Sequence, residues 1–591
     1  MSVGFELKSI TATAIKELYQ VDIDSQNIQI NETKPEFEGD YTVVLFGFIK
    51  QLKLSPDAIG NAIGNYLKEN FSSLVKDFNI IKGFLNLTIT DSFWLSFLEE
   101  NATKVNFGFR PVKEDKVMIE YSSPNTNKPL HLGHLRNNFL GWSIAEILKE
   151  QGNKVYKTCV VNDRGIHICK SMIAWEKFGE GKTPETEHVK GDHFVGDYYV
   201  KFNDEYKKQV KELVTKGQTE EQAEKDAPIM AETQEMLVKW EEGDQKVRDL
   251  WATMNGWVYK GFDETYQAIG SDFDKTYYEH NTYLLGKDWV EKGLQSGVFF
   301  QKEDGSVWID LTEDGLDQKL VRRKDGTSVY ITQDIGLADL KAQEFGIDRN
   351  VYVVGDEQNY HFKVLKLICQ KLGIPAADGM YHLSYGMVEL PTGKMKSREG
   401  TVVDADDLVA EMIKIAAEKT AELGKVDDFE ASELDTLYNT IGLGALKFFL
   451  LRVDPKKKMI FNPEESIDFH GFTGPFVQYT HARIKSILRK VGTLDNAIID
   501  KELLPLEKKL IVALEQYPTI VTDAADAMDP SGIAIYVFNL AKTFNQFYAE
   551  LSITNAETTE KKALRVQIAT LTATTIKRAM HLLGINVPER M

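Results

Sequence analysis

Pro124-Asn125-Thr126-Asn127-Lys128-Pro129-Leu130-His131-Leu132-Gly133-His134 is the segment from which the fold of this chain can be read. Ahead of it, Lys116-Val117-Met118-Ile119-Glu120-Tyr121 has the apolar, partly β-branched character of a short buried strand. Behind it, Leu135, Phe139, Trp142, Ile144, Ile147 and Leu148 recur at helical spacing. The two histidines therefore fall where strand passes into helix, and that junction offers unpaired N–H groups and a positive dipole end to an anion. Pro129 keeps Lys128 out of the helix, and Gly133 lets a ligand approach the backbone. Two imidazoles three residues apart can then donate to the same phosphates, which reads as an ATP site. The competing readings are a plain helix cap and half of a metal site. For the latter only Cys159, His167 and Cys169 lie nearby, and the chain has no CxxC, so no bound zinc is expected.

A second segment, Leu390-Pro391-Thr392-Gly393-Lys394-Met395-Lys396-Ser397-Arg398-Glu399-Gly400-Thr401-Val402-Val403, follows about 260 residues downstream.

The chain has 591 residues, long enough for three or four units. Hydrophobic residues make up 43% and charged residues 27%, as in ordinary soluble enzymes. No run reaches the roughly 18 apolar residues of a membrane span, and Met1-Ser2-Val3-Gly4-Phe5-Glu6-Leu7-Lys8 lacks a signal-peptide core, so a cytoplasmic protein without membrane partners is expected. Three cysteines cannot build a disulfide framework. A net charge of -19 argues against indiscriminate nucleic-acid binding but leaves room for local basic tracks. Lys456-Lys457-Lys458 is one such track, and His481, Arg483, Lys485, Arg489 and Lys490 form another. A solvated charged face is the simpler fate of each.

Residues 1–110 read as a small α/β module, with strand-like Tyr41–Phe46 and Gly83–Ile89 around a helical pattern from Ala58 to Leu74. From 111 to 430 strands alternate with helices, the pattern of a doubly wound parallel sheet. Lys154–Val161, Gly326–Ile331 and Asn350–Val354 are its candidate strands, and a charged helical stretch over about 180–260 reads as an insertion. From 431 to 591 amphipathic helices dominate, so an all-α domain is expected.

The two segments together resemble the paired signatures of the class I aminoacyl-tRNA synthetases, the first in the form typical of arginyl-tRNA synthetases. Gly474–Leu488 is similar to the start of that family's anticodon-binding bundle, and Gly584-Ile585-Asn586-Val587-Pro588-Glu589-Arg590-Met591 to its terminus. The resemblance implies a Rossmann-type catalytic domain, an N-terminal RNA-binding module touching the tRNA elbow, and a helical anticodon-binding domain. It implies an arginine–tRNA ligase working on L-arginine, ATP with Mg²⁺, and tRNA(Arg), as a monomer whose first step needs tRNA. Other class I synthetases, adenylate-forming ligases and a non-catalytic RNA-binding paralogue are the rival readings.

Site residues follow from the same resemblance. Arginine, with five donors and no acceptor, calls for carboxylates. Glu120, Ser123, Asn125, His131, Tyr330, Asp334 and Gln358 are its implied contacts, with Tyr330 and Asp334 on one helical face at i, i+4. Gly133, His134, Met387, Val388 and Lys394 are implied for ATP, and His131, His134 and Lys394 for catalysis. The loop departs from the general K-M-S-K-S form, since Ser397 stands where the second lysine belongs. Lys128 is expected to supply the missing cation, with Lys396 its rival. Phe84, Asn86, Tyr479 and Met591 match tRNA contacts, while Ile81 replaces a polar residue of the family. Packing in the core is the alternative for Phe84 and Tyr479.

Overall fold

The computed structural model describes residues 3–34, 36–389, 391, 403–422, 429–492 and 499–591. Most of the second signature segment, residues 390 and 392–402 with Lys394, Lys396 and Ser397, lies outside them.

In the N-terminal module, α1 (Val3–Tyr19) and α2 (Pro56–Asn70) accompany an antiparallel sheet of β1 (Ile30–Glu32), β2 (Tyr41–Val44), β3 (Val75–Ile81) and β4 (Phe84–Ile89) in the order β1-β2-β4-β3. Ile81 pairs with Phe84 across Lys82 (φ 50°) and Gly83 (φ 81°), the two positive φ values of a primed two-residue hairpin turn. Glu515 of the C-terminal domain ties the module down by accepting from Val3 N at 2.8 Å and Tyr41 Oη at 3.1 Å.

The central domain opens with β5 (Lys116–Glu120), α3 (Leu132–Glu150) and β6 (Lys154–Val161). The expected insertion follows as a helical block whose longest members are α4 (Gly191–Thr215) and α5 (Gln245–Ile269). After β7 (Lys275–Tyr278) comes a small antiparallel sheet of β8 (Phe300–Gln301), β9 (Val307–Ile309) and β10 (Lys319–Arg322) that periodicity did not announce. Then α6 (Tyr330–Phe345), β11 (Arg349–Gly355) and β12 (Met380–Tyr385) complete a five-stranded sheet in the order β12-β11-β5-β6-β7. All four pairings are parallel, so every strand ends at one rim, where ligands bind in such folds.

The strand expected at Gly326–Ile331 is a correction. Only Ser328 makes an isolated bridge, to Arg322, and Tyr330 already opens α6. Thr327 and Val329 supply β-branched character, but the stretch returns beside the edge strand β10 for one bridge only before the helix begins at Tyr330, too short a run to form a strand.

Beyond β12, β13 (Val388–Glu389), α7 (Ala405–Glu422) and α8 (Ala431–Leu451) lead to β14 (Met459–Ile460), which pairs in parallel with β13. The helical bundle follows as α9 (Gly474–Val491), α10 (Pro505–Glu515), α11 (Tyr517–Ala527), α12 (Ser531–Glu550) and α13 (Thr559–Leu582). No helix among the described residues is long and apolar enough to cross a membrane.

Helix α3 joins these parts. Near its middle Gly141 lies against buried Tyr121, and a Cβ there would come 2.3 Å from the ring. At its far end Glu150 pairs with Arg578 of α13 at 2.7 Å, and Ser143 Oγ donates to Leu582 O at 2.6 Å. Gly141→Ala is therefore expected to overpack this contact and destabilise the central domain by about 1–3 kcal/mol. A lowered first unfolding midpoint in a thermal scan checks this, and an unchanged midpoint contradicts it.

Candidate active site

The rim of the sheet is built from the ends of β5, β6, β7, β11 and β12. At the end of β5 the chain turns through Ser122 (φ 76°) and Ser123 (φ 47°), two successive non-glycine residues in the left-handed region. Three partners hold this turn. Asn137 Oδ1 accepts from Ser122 N at 2.5 Å, Tyr266 Oη lies 2.7 Å from Ser122 Oγ, and Asn162 Nδ2 donates to Ser123 O at 3.2 Å. Asn125 then bridges in parallel to Asn162 beyond β6.

His131 is the N-cap of α3, and its Nδ1 accepts from Gly133 N at 3.1 Å. His134 returns the favour, its Nδ1 accepting from His131 N at 3.1 Å. This is the reciprocal arrangement of a capping box, with imidazoles in place of the usual Ser and Glu. The rings lie 4.0 Å apart at 48°, and a Cβ on Gly133 would come 3.0 Å from His131 Cε1. Burial, and then the Lys128 ammonium, pulls His131 down to about 3; burial, then His131 and Lys128, holds His134 well below the usual range. Both rings are neutral at pH 7, and since each Nδ1 is an acceptor, each proton sits on Nε2. The helix-cap reading is met by the two Nδ1 atoms, and each Nε2–H is left to face outward from the cap. His131 lines a cavity of about 210 Å³ with Lys128, His193, Asp404 and Asp407.

The next residues of α3, all buried, fix the surrounding walls. Arg136 donates to the carbonyls of Gly386 (2.7 Å), Pro455 (3.2 Å) and Lys457 (2.9 Å), so the backbone before Met387 and Val388 is pinned to the histidine helix. Met387 is exposed and Val388 buried. Asn137 Nδ2 donates to Val353 O at 2.7 Å, and Asn138 Nδ2 to Ser122 Oγ at 3.2 Å. Sequence reading passed over these three because they interrupt the apolar period; a polar run on the inward face of a buried helix was the available signal.

A larger cleft of about 870 Å³ opens between the ends of β6 and β7 and the start of α6. Asn125, Tyr330 and Asp334 line it, with Tyr330 and Asp334 on the first turns of α6. Glu279, just past β7, lines it too and was missed by sequence reading. Burial pushes the Glu279 carboxyl up, and the negative charges of Asp163 and Asp334 add to the rise against Arg164. Gln333 reaches Glu279 at 3.4 Å, and His361 Nε2 lies 2.7 Å from Asp334 Oδ2.

The other expected arginine contacts stand outside this lining. Glu120 is buried and paired with the buried Lys341 of α6, whose ammonium also lies 5.6 Å from the Tyr277 ring and 5.2 Å from the Tyr352 ring. Glu120 is thus already supplied with a cation. Gln358 is exposed in the turn after β11.

In the N-terminal module Phe84 is 36% exposed and meets Phe46 edge-on at 5.5 Å. Asn86 is 1% exposed, its amide engaged by Thr42 (2.6 Å) and Asn79 (2.8 Å), which leaves its side chain inside the module. In the bundle Tyr479 is half-buried with Arg483 at 4.9 Å from its ring, and Met591 packs on the core. The basic track expected there is largely consumed internally. His481 is buried, bonded to Pro588 O at 2.9 Å and lowered by that burial, while Arg483 donates to Asn545 and Lys485 pairs with Glu589.

Cys159 and Cys169 are buried thiols pushed up to about 12, chiefly by that burial. Neither offers a thiolate at neutral pH.

A family model for the catalytic domain of class I (R) tRNA synthetases matches residues 100–462. The chain belongs to this family. The arginyl tRNA synthetase N-terminal domain matches residues 6–89 and the DALR anticodon binding domain residues 477–591. The arginine–tRNA ligase of Amoebophilus asiaticus is 52% identical and that of Flavobacterium psychrophilum 53% identical, each covered in full and covering this chain in full. An arginyl-tRNA synthetase structure from Thermus thermophilus shares the fold over the full length of both chains, with a TM-score of 0.81 at 24% identity.

For a class I synthetase the histidine pair makes a direct prediction. Histidine-selective ¹⁵N NMR is expected to report the neutral Nε2–H form for His131 and His134 throughout pH 5–8, with assignment from single-site variants. Protonation of either ring within that range contradicts the capping geometry.

Proposed function

We propose that this chain is an arginine–tRNA ligase. It joins L-arginine to ATP, which brings Mg²⁺ as its counter-ion, to give arginyl-adenylate, and transfers the arginyl group to the 3′-terminal adenosine of tRNA(Arg) for protein synthesis. The observation that carries the reading is the convergence of Glu279 and Asp334 on one cleft that Asn125 of the strand–helix junction also lines, in a chain similar to arginine–tRNA ligases along its whole length. A buried carboxyl such as Glu279, raised chiefly by burial with the negative charge of Asp334 adding to the rise, favours a cationic guest, and a guanidinium can satisfy both carboxylates.

In the first step a carboxylate oxygen of arginine attacks the α-phosphorus of ATP and pyrophosphate leaves. Such a displacement needs positioned donors and cations more than covalent help. The Nε2–H groups of His131 and His134 serve the α-phosphate side, with Gly133 giving the nucleotide room. Lys128, whose charge already bears on both rings, serves the pyrophosphate together with Lys394. Met387 and the backbone at Val388 hold the adenine. Tyr330, Asp334 and Glu279 read the guanidinium, while Ser123, Asn125 and Gln358 meet the rest of the amino acid. Glu120 keeps a supporting part through Lys341. In the second step a ribose hydroxyl of the terminal adenosine attacks the acyl carbon and AMP leaves.

Phe84, Tyr479 and Met591 are the proposed tRNA contacts, and Asn86 supports the strand beneath Phe84. The working unit is a cytoplasmic monomer whose arginine activation waits for tRNA. Arginine-dependent exchange of labelled pyrophosphate into ATP, run with and without tRNA(Arg), tests the whole reading. Exchange with lysine or glutamine in place of arginine refutes the amino-acid assignment, and exchange without tRNA refutes the tRNA requirement.

Two substitutions sharpen the roles. Asp334→Asn is expected to raise the arginine KM by about tenfold to a hundredfold, the worth of a charge-assisted bond, and to leave the ATP KM within twofold. His134→Asn keeps an acceptor near the Nδ1 position and loses the outer donor. It is expected to retain the melting midpoint while exchange falls roughly a hundredfold or more. For the cation, Lys128→Ala is expected to abolish adenylate formation and Lys396→Ala to spare most of it; the reverse pattern transfers the role to Lys396.

A further inference from the structure

The insertion meets the histidine segment through a cluster of charges that the reaction above does not use. Asp406, in the first turn of α7, is its centre. Its Oδ2 lies 2.6 Å from Lys190 Nζ and 3.1 Å from His193 Nε2, and its Oδ1 accepts from Thr265 Oγ1 at 2.8 Å. Lys190 also reaches Asp192 at 3.3 Å and Thr265 at 2.5 Å, and His193 lies 3.3 Å from Asp404. Lys190 and His193 come from the start of α4, Thr265 from α5, and both helices belong to the insertion. They can approach because Gly191 and Gly261 leave no Cβ at the crossing, where one would come 2.1 Å from Trp257 O or 2.3 Å from Asp192 Oδ1.

Asp406 is held in register with the histidines by backbone. Asp404 caps α7, its Oδ1 accepting from Asp406 N at 2.8 Å and Asp407 N at 3.2 Å. Asp404 also forms an antiparallel bridge with His131, in which Leu132 N donates to Val403 O at 3.1 Å and Ala405 N to Leu130 O at 3.0 Å. Whatever fixes the first turn of α7 thus fixes the strand on which His131 sits.

We propose that Lys190 and His193 are positioning residues for adenylate formation: through Asp406 they hold Val403–Ala405 against Leu130–Leu132 and so set where His131 presents its Nε2–H. The proposal rests on the reading of His131 as a phosphate donor. Asp192, His193 and Asp406 bring ligand atoms within 4.8 Å of one another, which invites a metal. The ammonium of Lys190 already occupies the space between Asp192 and Asp406, and a dication cannot share those oxygens with it. The cation of this cluster is therefore part of the chain.

The clamp has a pH dependence of definite sign. His193 faces Asp406 and Asp404 from α7, Asp192 and Lys190 from its own segment, and shares the smaller cavity with Asp197, Asp407, Lys128 and His131; α5 offers the Thr265 hydroxyl. The bond to Asp406 raises His193 above its ordinary value against the effect of burial. Burial opposes ionisation of Asp406, yet the bonds from His193 and Lys190 hold it below the carboxylate range. A raised histidine contributes fully below its unfolded value of about 6.5, and the contribution is lost as pH rises through the raised value.

Pyrophosphate exchange by Lys190→Met, Asp406→Asn and the double variant tests the clamp. Each single change is expected to lower kcat by about tenfold to a hundredfold, as for a sub-ångström misplacement of a catalytic group, with the arginine KM within twofold and the double no worse than either single. Lys190→Arg is expected to recover most of the rate. His193→Gln keeps a donor without a titration, so the alkaline decline of the unmutated enzyme is expected to vanish in it. Additive single effects, a parallel loss of arginine affinity, or an identical alkaline limb in His193→Gln overturns the proposal. Retention of Mn²⁺ or Zn²⁺ by the unmutated chain after gel filtration, lost in Asp406→Asn, overturns Lys190 as the cation. Failure of the unmutated chain to exchange at all speaks against the function itself and leaves the variants' folding and metal content as separate readouts.

Discussion

A helix that begins at the end of a strand leaves its first N–H groups without partners, and the first turn of α3 meets that requirement with imidazole nitrogens. Because each Nδ1 is used as an acceptor, each ring must carry its proton on the outer nitrogen. Burial excludes the imidazolium form, since a proton on Nδ1 would face a backbone N–H and a second charge would lie beside Lys128. The same bonds that start the helix therefore decide the direction and number of the donors offered to a ligand. Helix α3, 19 residues or ~28 Å long in all, carries this frame outward. Arg136 and Asn137 tie it to the wall around Gly386 and to β11, and Glu150 ties its other end to α13.

Charge in this chain is arranged locally more than globally. The net charge of -19 would repel a polyanion at long range, and several cations that look available in the sequence are spent inside the protein. Lys341 neutralises Glu120, Lys485 pairs with Glu589, and Lys190 with Asp406. Pairing of this kind fixes geometry more than it adds stability, because taking each charge from water costs about as much as the partner returns. The larger cleft sets Glu241, Glu279, Asp325 and Asp334 against Arg164, Lys287 and Arg323. Lys456, Lys457 and Lys458 stay exposed on the turn that Arg136 anchors.

Local signals in the sequence were sufficient for the strand–helix junction at His131, the parallel sheet strands Lys116–Glu120, Lys154–Val161 and Arg349–Gly355, the helical insertion and the terminal bundle. Each rests on a period or a breaker acting within a few residues. What the sequence did not show depends on contacts between distant positions. The pairing of Glu120 with Lys341 joins residues 221 positions apart and leaves no local trace. His481 looked like a phosphate cation because the carbonyl of Pro588 is 107 residues away. Gly326–Ile331 had the composition of a strand, but the helix that begins at Tyr330 leaves it a single bridge. Glu279 gave no signal of its own among its neighbours, and its meaning arises from Asp334 across the cleft.

The turn at Ser122–Ser123 explains why such support is needed. Two successive left-handed residues without glycine each cost of order 1–3 kcal/mol, and glycine at either would remove most of that cost. A side chain is kept at Ser122 because its hydroxyl meets Tyr266 and Asn138 while its N–H meets Asn137, so the strain is held by three residues from two other helices. A glycine there would relax the turn and lose the link between α3 and α5. The strained turn thus makes the rim at β5 a product of α3 and α5 together, and the position of Asn125 at the cleft depends on the insertion as much as on the sheet.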